Sequence, residues 1–313
     1  MNEKIDMRDA FFNSLYEIIS KDKNVIVLTA DHGAFGLDQI RKDFPEQYIN
    51  VGIAEQNMIS VAAGLALSGK IVYVYSIINF VTLRCLEQIN IDISGMNLHV
   101  NIIGVGAGFT YSTDGPTHHG IQDIAIMSAI PNLKIYNCSD PINSRAFAKI
   151  AYEQTGPKYI RIEKGNAPTH YDEQHDFSSS MYKLKDGSKV IIISTGLIIN
   201  KAIEIAKSLE KDNISIGVID VYLLNPMDAH ELLKFVKSSR LIITMEDNIS
   251  SGGLSSKVHE TISLNDIKVP IKSFSLNKKH HYYYSMNRGD IEDRHGLSQD
   301  EITKFIRDWD NEN

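Results

Sequence analysis

The 313-residue chain is 43% apolar and 23% charged, the balance of an ordinary globular protein with room for about two domains. Its net charge of −7 argues against nucleic acid or an anionic membrane surface as the main partner. No apolar run reaches the length of a membrane span, and Met1-Asn2-Glu3-Lys4-Ile5-Asp6 lacks the features of a signal peptide, so a cytoplasmic protein is expected.

In chain order, short apolar runs alternate with amphipathic stretches. Residues 7–20 read as a helix, 25–28 as a buried strand, 55–67 as a helix, 71–75 as a strand, 83–93 as a helix and 100–105 as a strand. Strands follow at 133–136 and 159–162, with a helix at 142–153 between them, opened by Asp140 as cap and Pro141 as first residue. From Gly165 to Ser188 the chain turns polar, with Pro168, three consecutive serines and several charges, which reads as a linker. Beyond it, strands are expected at 190–194, 214–219 and 241–245, and helices near 200–209, 228–236 and 254–262. The pattern predicts two α/β domains, residues 1–164 with a mainly parallel sheet and residues 189–313, joined by a linker at 165–188. Cys85 and Cys138 lie in apolar surroundings without a CxxC pattern and read as core thiols. The run His280-His281-Tyr282-Tyr283-Tyr284 reads as a surface loop before the final helix rather than a metal or stacking site.

Two stretches carry chemistry. In Val51-Gly52-Ile53-Ala54-Glu55-Gln56-Asn57-Met58 the carboxylate of Glu55 falls on the same helical stripe as Met58, Val61, Ala62 and Leu65, so it is expected to point inward. A buried carboxylate is costly unless paired or protonated, which suggests a hydrogen-bonding task; stabilisation of a first-turn glutamate by the helix N-terminus is the alternative. The loop Asp114-Gly115-Pro116-Thr117-His118-His119-Gly120 follows the small-residue approach Gly104-Val105-Gly106-Ala107-Gly108, and its Gly-Pro pair marks a tight turn. His118 is then held on a rigid turn. The adjacent histidines lack the spacing of a zinc site, so no metal ligand is expected in this chain, and the glycines match neither a dinucleotide fingerprint nor a P-loop.

Together these stretches resemble the pyrimidine-binding half of transketolase-like, thiamine-diphosphate-dependent enzymes, and the second unit resembles the transketolase C-terminal domain. The resemblance implies a thiamine-diphosphate-binding-type domain followed by that C-terminal domain. It implies that Glu55 hydrogen-bonds the ring nitrogen of the cofactor's aminopyrimidine, favouring the tautomer that deprotonates the thiazolium carbon, so that Glu55 and His118 are the catalytic candidates. Asp114 and His118 match the family's contacts to donor-ketose hydroxyls. In Ser76-Ile77-Ile78-Asn79-Phe80-Val81-Thr82-Leu83, three positions match the family's aromatic wall; Phe80 keeps an aromatic ring, while Ile77 and Leu83 offer aliphatic packing. Asp31 matches a residue placed near the cofactor across a dimer interface.

The resemblance covers only the C-terminal two thirds of a transketolase. The missing third binds the cofactor diphosphate through a divalent metal, so Mg2+ or Ca2+ is expected to be held by a second polypeptide, an N-terminal transketolase-like subunit, within an α2β2 complex. Classical transketolases hold the acceptor phosphate with a serine, a histidine and an arginine, and the resemblance roughly matches those positions to Phe35, Gly106 and Lys164 here. With only Lys164 charged, the acceptor is expected to be something other than a simple sugar phosphate, such as an unphosphorylated or nucleotide-linked sugar. The expected activity is transfer of a two-carbon ketol unit from a ketose to an aldose. The alternatives are a subunit like 1-deoxyxylulose-5-phosphate synthase, one like the β subunit of a 2-oxo acid dehydrogenase, and a non-catalytic scaffold relative.

Overall fold

The computed structural model describes residues 5–283 and 285–313. The first unit runs β1 (Ile5–Asp6), α1 (Met7–Ile19), β2 (Val25–Thr29), α2 (Phe35–Asp43), β3 (Tyr48–Asn50), α3 (Glu55–Leu67), β4 (Ile71–Ile77), α4 (Ile78–Val81), α5 (Leu86–Gln88), β5 (Val100–Val105), α6 (Asp123–Met127), β6 (Lys134–Asn137), α7 (Pro141–Glu153) and β7 (Lys158–Ile162). The chain continues through β8 (Asn166–Ala167), β9 (Met181–Lys185), β10 (Val190–Ser194), α8 (Ile199–Glu210), β11 (Ile216–Val221), β12 (Leu223–Asn225) and α9 (Ala229–Val236). It ends with β13 (Leu241–Ile249), α10 (Leu254–Leu264), β14 (Ile271–Leu276), α11 (Arg288–Glu292) and α12 (Gln299–Glu312).

Two sheets organise these elements. The larger has the order β12-β6-β7-β5-β4-β2-β3 and the smaller β14-β13-β10-β11-β9. All neighbours in the larger sheet are parallel except β12, which runs antiparallel to β6. Every residue of β2, β5 and β7 is buried, as expected for strands covered by helices on both faces. The helix caps follow local chemistry. Asp140 accepts from the Asn143 amide, the Asn143 side chain returns the bond, and Pro141 occupies the first turn, where its missing N–H costs nothing.

The segment expected to link the domains is structured along part of its length: β8 pairs antiparallel with β1, and β9 is an antiparallel edge of the second sheet, beside β11. The expected helix at 83–93 is broken. The Thr82 amide and hydroxyl both donate to the Ile78 carbonyl, at 2.9 and 2.6 Å, capping α4 where it ends, and the chain passes through a tight turn at Leu83–Cys85, α5 and a wide π turn at Ile89–Ser94. The His280–Tyr284 run is a loop in which His280 and Tyr282 are exposed, as expected, but His281 departs from that reading. His281 is only 4% exposed, its ring meeting Phe109 edge-on at 5.3 Å and lying 4.0 Å from His295. An imidazole flanked by aromatic rings gains packing that the polar look of the run concealed. Tyr284 lies outside the described residues.

The two units are tied together by buried charge. Arg161, fully buried on β7, donates to Asp123 and to Asp247 on β13, each at 2.9 Å. Arg288 pairs with Asp247 at 2.8 Å and with Glu163 at 2.6 Å. The strand β12, reached from the second sheet, closes the edge of the first.

Candidate functional site

Parallel strands deliver their following loops to one edge of a sheet, where α/β proteins build their sites. Every candidate identified from the sequence lies beyond such an end: Asp31 after β2, Phe35 at the start of α2, Glu55 after β3, Phe80 after β4, Asp114 and His118 after β5, and Lys164 after β7. Ile77 is the last residue of β4 and is buried.

Glu55 is the first residue of α3 and is 3% exposed; its Oε2 accepts from Arg84 Nη1 at 2.6 Å. The carboxylate is therefore inward and paired. The same guanidinium lies over the Phe80 ring, 4.3 Å from its centroid, so Arg84 covers both the acid and the aromatic plate beside it. The edge of Phe80 meets the His118 ring at 5.0 Å. His118 is fixed by its own turn: its amide donates to Gly115 O at 3.0 Å, Gly115 takes φ 79°, and Nδ1 lies 2.9 Å from Thr117 Oγ1. Asp114 precedes that turn and is exposed, with its amide bonded to Tyr111 O at 3.1 Å.

Tyr111 connects the His118 loop to Lys164. Its ring is 5.8 Å from that of His118 and 5.8 Å from the Lys164 ammonium. His32 reports the same neighbourhood. Burial, then the positive charges of Arg8, Lys164 and His118, push its imidazole down to about 4, with Glu55 opposing, so it is neutral near pH 7. Arg8, from the first turn of α1, was missed in reading the sequence. A lone arginine following a helix cap carries no motif, and only folding brings α1 to this edge.

Asp31 takes a left-handed backbone, φ 57°, which aspartate tolerates. Asn50 locks it in place: its Oδ1 accepts from the amides of Asp31 and Gly52, each at 3.0 Å, linking the Asp31 loop to the approach of Glu55. The structure thus joins Glu55, Phe80, His118 and Lys164 through Arg84, Tyr111 and His32. Two candidates stand apart: Phe35 is 81% exposed, and Leu83 lines a cavity of about 40 Å3 with Asn79, Pro116, His119 and His281.

A mainly parallel α/β unit bearing a buried acid, an aromatic plate and an imidazole loop at one edge, followed by a second α/β unit, defines the class. Residues 3–169 match the transketolase pyrimidine-binding domain and residues 180–302 the transketolase C-terminal domain. The chain belongs to the transketolase family. It is 33% identical over 274 residues, 86% of this chain and 88% of the relative, to one of the subunits of the apulose-4-phosphate transketolase of Phocaeicola vulgatus. It is 31% identical to the 6-deoxy-6-sulfo-D-fructose transketolase subunit SqwH of Clostridium sp. (strain MSTE9), over 85% of this chain and 83% of that one. Among solved structures it resembles a split gene transketolase, described as an inactive beta4 tetramer, with 30% identity, a TM-score of 0.87, and coverage of 97% of this chain and 98% of the other.

The family depends on thiamine diphosphate, and the residues present suit the pyrimidine half of that cofactor. Glu55 is a nearly dry carboxylate suited to a basic ring nitrogen, Phe80 offers a planar ring, and Ile77 an aliphatic wall.

Proposed function

We propose that this chain is the pyrimidine-binding subunit of a split transketolase that transfers a two-carbon ketol unit from a ketose donor to an aldose acceptor. The observation that carries the reading is the inward Glu55 carboxylate, joined to Phe80 through Arg84, with the His118 ring meeting that of Phe80 edge-on. Thiamine diphosphate, when bound, supplies the electron sink for breaking the bond beside the donor carbonyl. Glu55 holds a proton at the ring nitrogen, its position at the start of α3 keeping it out of bulk water. Phe80 and Ile77 grip the ring, and Asp31 borders the site. His118 and Asp114 orient the donor hydroxyls. A partner chain holds the diphosphate and its Mg2+ or Ca2+, in an α2β2 assembly.

Arg84 must leave Glu55 for that contact to form. Being about two-fifths exposed, it can turn outward at modest cost. At the acceptor end, Arg8 joins Lys164 around His32 and Tyr111, so two positive charges face this region rather than the one read from the sequence. Paired cations lower the cost of desolvating an anion. This favours an acceptor with an anionic far end, a simple sugar phosphate included, over the unphosphorylated or nucleotide-linked sugar expected from the sequence; the two relatives are likewise named for sugars that carry an anionic group, without their names saying which is the acceptor.

The test is reconstitution with the N-terminal partner, thiamine diphosphate and Mg2+, assaying ketol transfer from a ketose phosphate to aldoses with and without a terminal anion. Transfer that needs both chains and favours anionic acceptors supports the proposal; absence of transfer under all pairings overturns it.

A further inference from the structure

The turn that carries His118 is gripped from outside by one side chain. Asn79, on α4 between the buried Ile78 and the ring of Phe80, directs its amide nitrogen at three carbonyls of that turn: Pro116 O at 3.1 Å, Thr117 O at 3.2 Å and His119 O at 3.0 Å. Two N–H groups serving three acceptors make a shared, three-centre arrangement, and only the NH2 end of the amide suits it, because carbonyls cannot donate. The Oδ1 end is buried and has no hydrogen-bond partner among the described residues. An amide that leaves its own acceptor unmatched in order to aim both donors at one turn accepts a cost, and the return is a fixed turn.

We infer that Asn79 is a positioning residue that holds the His118 turn at the spacing set by Phe80. The segment that supplies the aromatic plate then also fixes the imidazole 5.0 Å from it. This rests on the proposed ketol transfer: the cofactor ring contact and the donor contact share one ruler, and Asn79 is that ruler. Asn79 touches neither substrate nor cofactor; it acts through His118. Loosening it therefore weakens donor handling and spares the acceptor.

The experiment is a double-substitution cycle in the reconstituted two-chain enzyme, reading donor and acceptor KM and kcat separately. Asn79→Ala is expected to lower donor kcat/KM about tenfold or more, the size of one to two lost hydrogen bonds, with acceptor KM unchanged. In a His118→Ala background the same change is expected to cost less than about twofold, because residues acting as a unit are not additive. Asn79→Asp, the same shape with a charge facing three carbonyls, is expected to be worse than Asn79→Ala. A second readout uses the chain alone: amide exchange at His118, whose N–H closes the turn on Gly115, is expected to quicken in Asn79→Ala. Wild-type donor kcat/KM in Asn79→Ala, losses that multiply with those of His118→Ala, or unchanged exchange at His118 overturns the inference. Inactivity of the wild-type complex itself speaks to the proposed function, while the exchange measurement still decides the role of Asn79.

Discussion

At the scale of single residues, Glu55 and Arg84 set the first two expectations. Glu55→Gln keeps the shape but cannot exchange a proton at the ring nitrogen, so turnover in the complex is expected to fall by about a hundredfold or more, the usual scale for a general acid or base. Folding should survive, because Arg84, about two-fifths exposed, can pair with water instead; a melting curve beside the kinetic assay separates the two effects. Arg84→Ala exposes the Phe80 face and frees the carboxylate. If Arg84 competes with the cofactor ring for both, calorimetry on the complex should show thiamine diphosphate binding several-fold tighter. Weaker binding would mean that Arg84 itself contacts the bound cofactor. Glu55 was legible in the sequence because its apolar stripe gave a direction to the side chain. Its partner Arg84 was not, since the end of α4 and the tight turn at Leu83–Cys85 decide where that guanidinium points, and helical periodicity does not register that change of winding.

At the scale of elements, the strands that run buried through the first sheet were readable as continuous apolar runs, and α7 as a cap, a proline and an amphipathic face. The short α2 and β3 were not. Their segment is mostly polar, with only Leu37 and Ile40 of α2 buried in the core, and shape seats the helix as well: a Cβ on Gly36 would lie 2.6 Å from Phe12 Cβ on α1, so only glycine lets these two helices approach. The loops after β3, β4 and β5 were recognised by motif, whereas Arg8 reaches them only through the packing of α1. Arg161 poses the plainest element-level test. It stands between Asp123 and Asp247 with no exposure on any of the three, so Arg161→Ala leaves the buried Asp123 without its cation and Asp247 with Arg288 alone. Loss of one partner from a buried pair typically costs about 3–5 kcal/mol, and a shift of that size in the denaturation midpoint is expected. A loss under about 1 kcal/mol would show that water enters the network.

At the scale of the whole molecule, two surfaces matter: the one between the units and the one left open. Between them, His281 inserts beside Phe109, and burial, then the charge of His295, push its imidazole down to about 4. An unfolded histidine titrates near 6.5, so between about 6.5 and 4 the unfolded chain binds a proton that the folded one refuses, and His281 withdraws stability as pH falls through that window. Asp220 and Glu246, each raised to about 7 by burial, act with the opposite sign over an overlapping range, so the net curve alone is uninformative. The comparison that isolates His281 is the drop in melting temperature from pH 7.5 to pH 5 in wild type and in His281→Phe. The drop is expected to be larger in wild type, and equal drops would discard the assignment.

The open surface argues for assembly. Ile53 and Leu67 flank α3 at 79% and 63% exposure, and Ile91 stands 60% exposed on the neighbouring π turn, which Ser60 ties to α3 through Asp92 at 2.9 Å. Exposed apolar side chains gathered about the helix that begins with Glu55 are what a second chain would cover. The proposed site is built for the pyrimidine end of the cofactor, with the diphosphate and its metal assigned to that second chain. The isolated subunit should therefore bind thiamine diphosphate weakly, by on the order of 3 kcal/mol or two powers of ten less than the complex, and show no ketol transfer alone. Calorimetry with and without the partner measures the difference, and light scattering on the mixture is expected to report two copies of each chain. Tight binding by the lone subunit would place a complete cofactor site within it, and with that result the division of labour between two polypeptides would have to be abandoned.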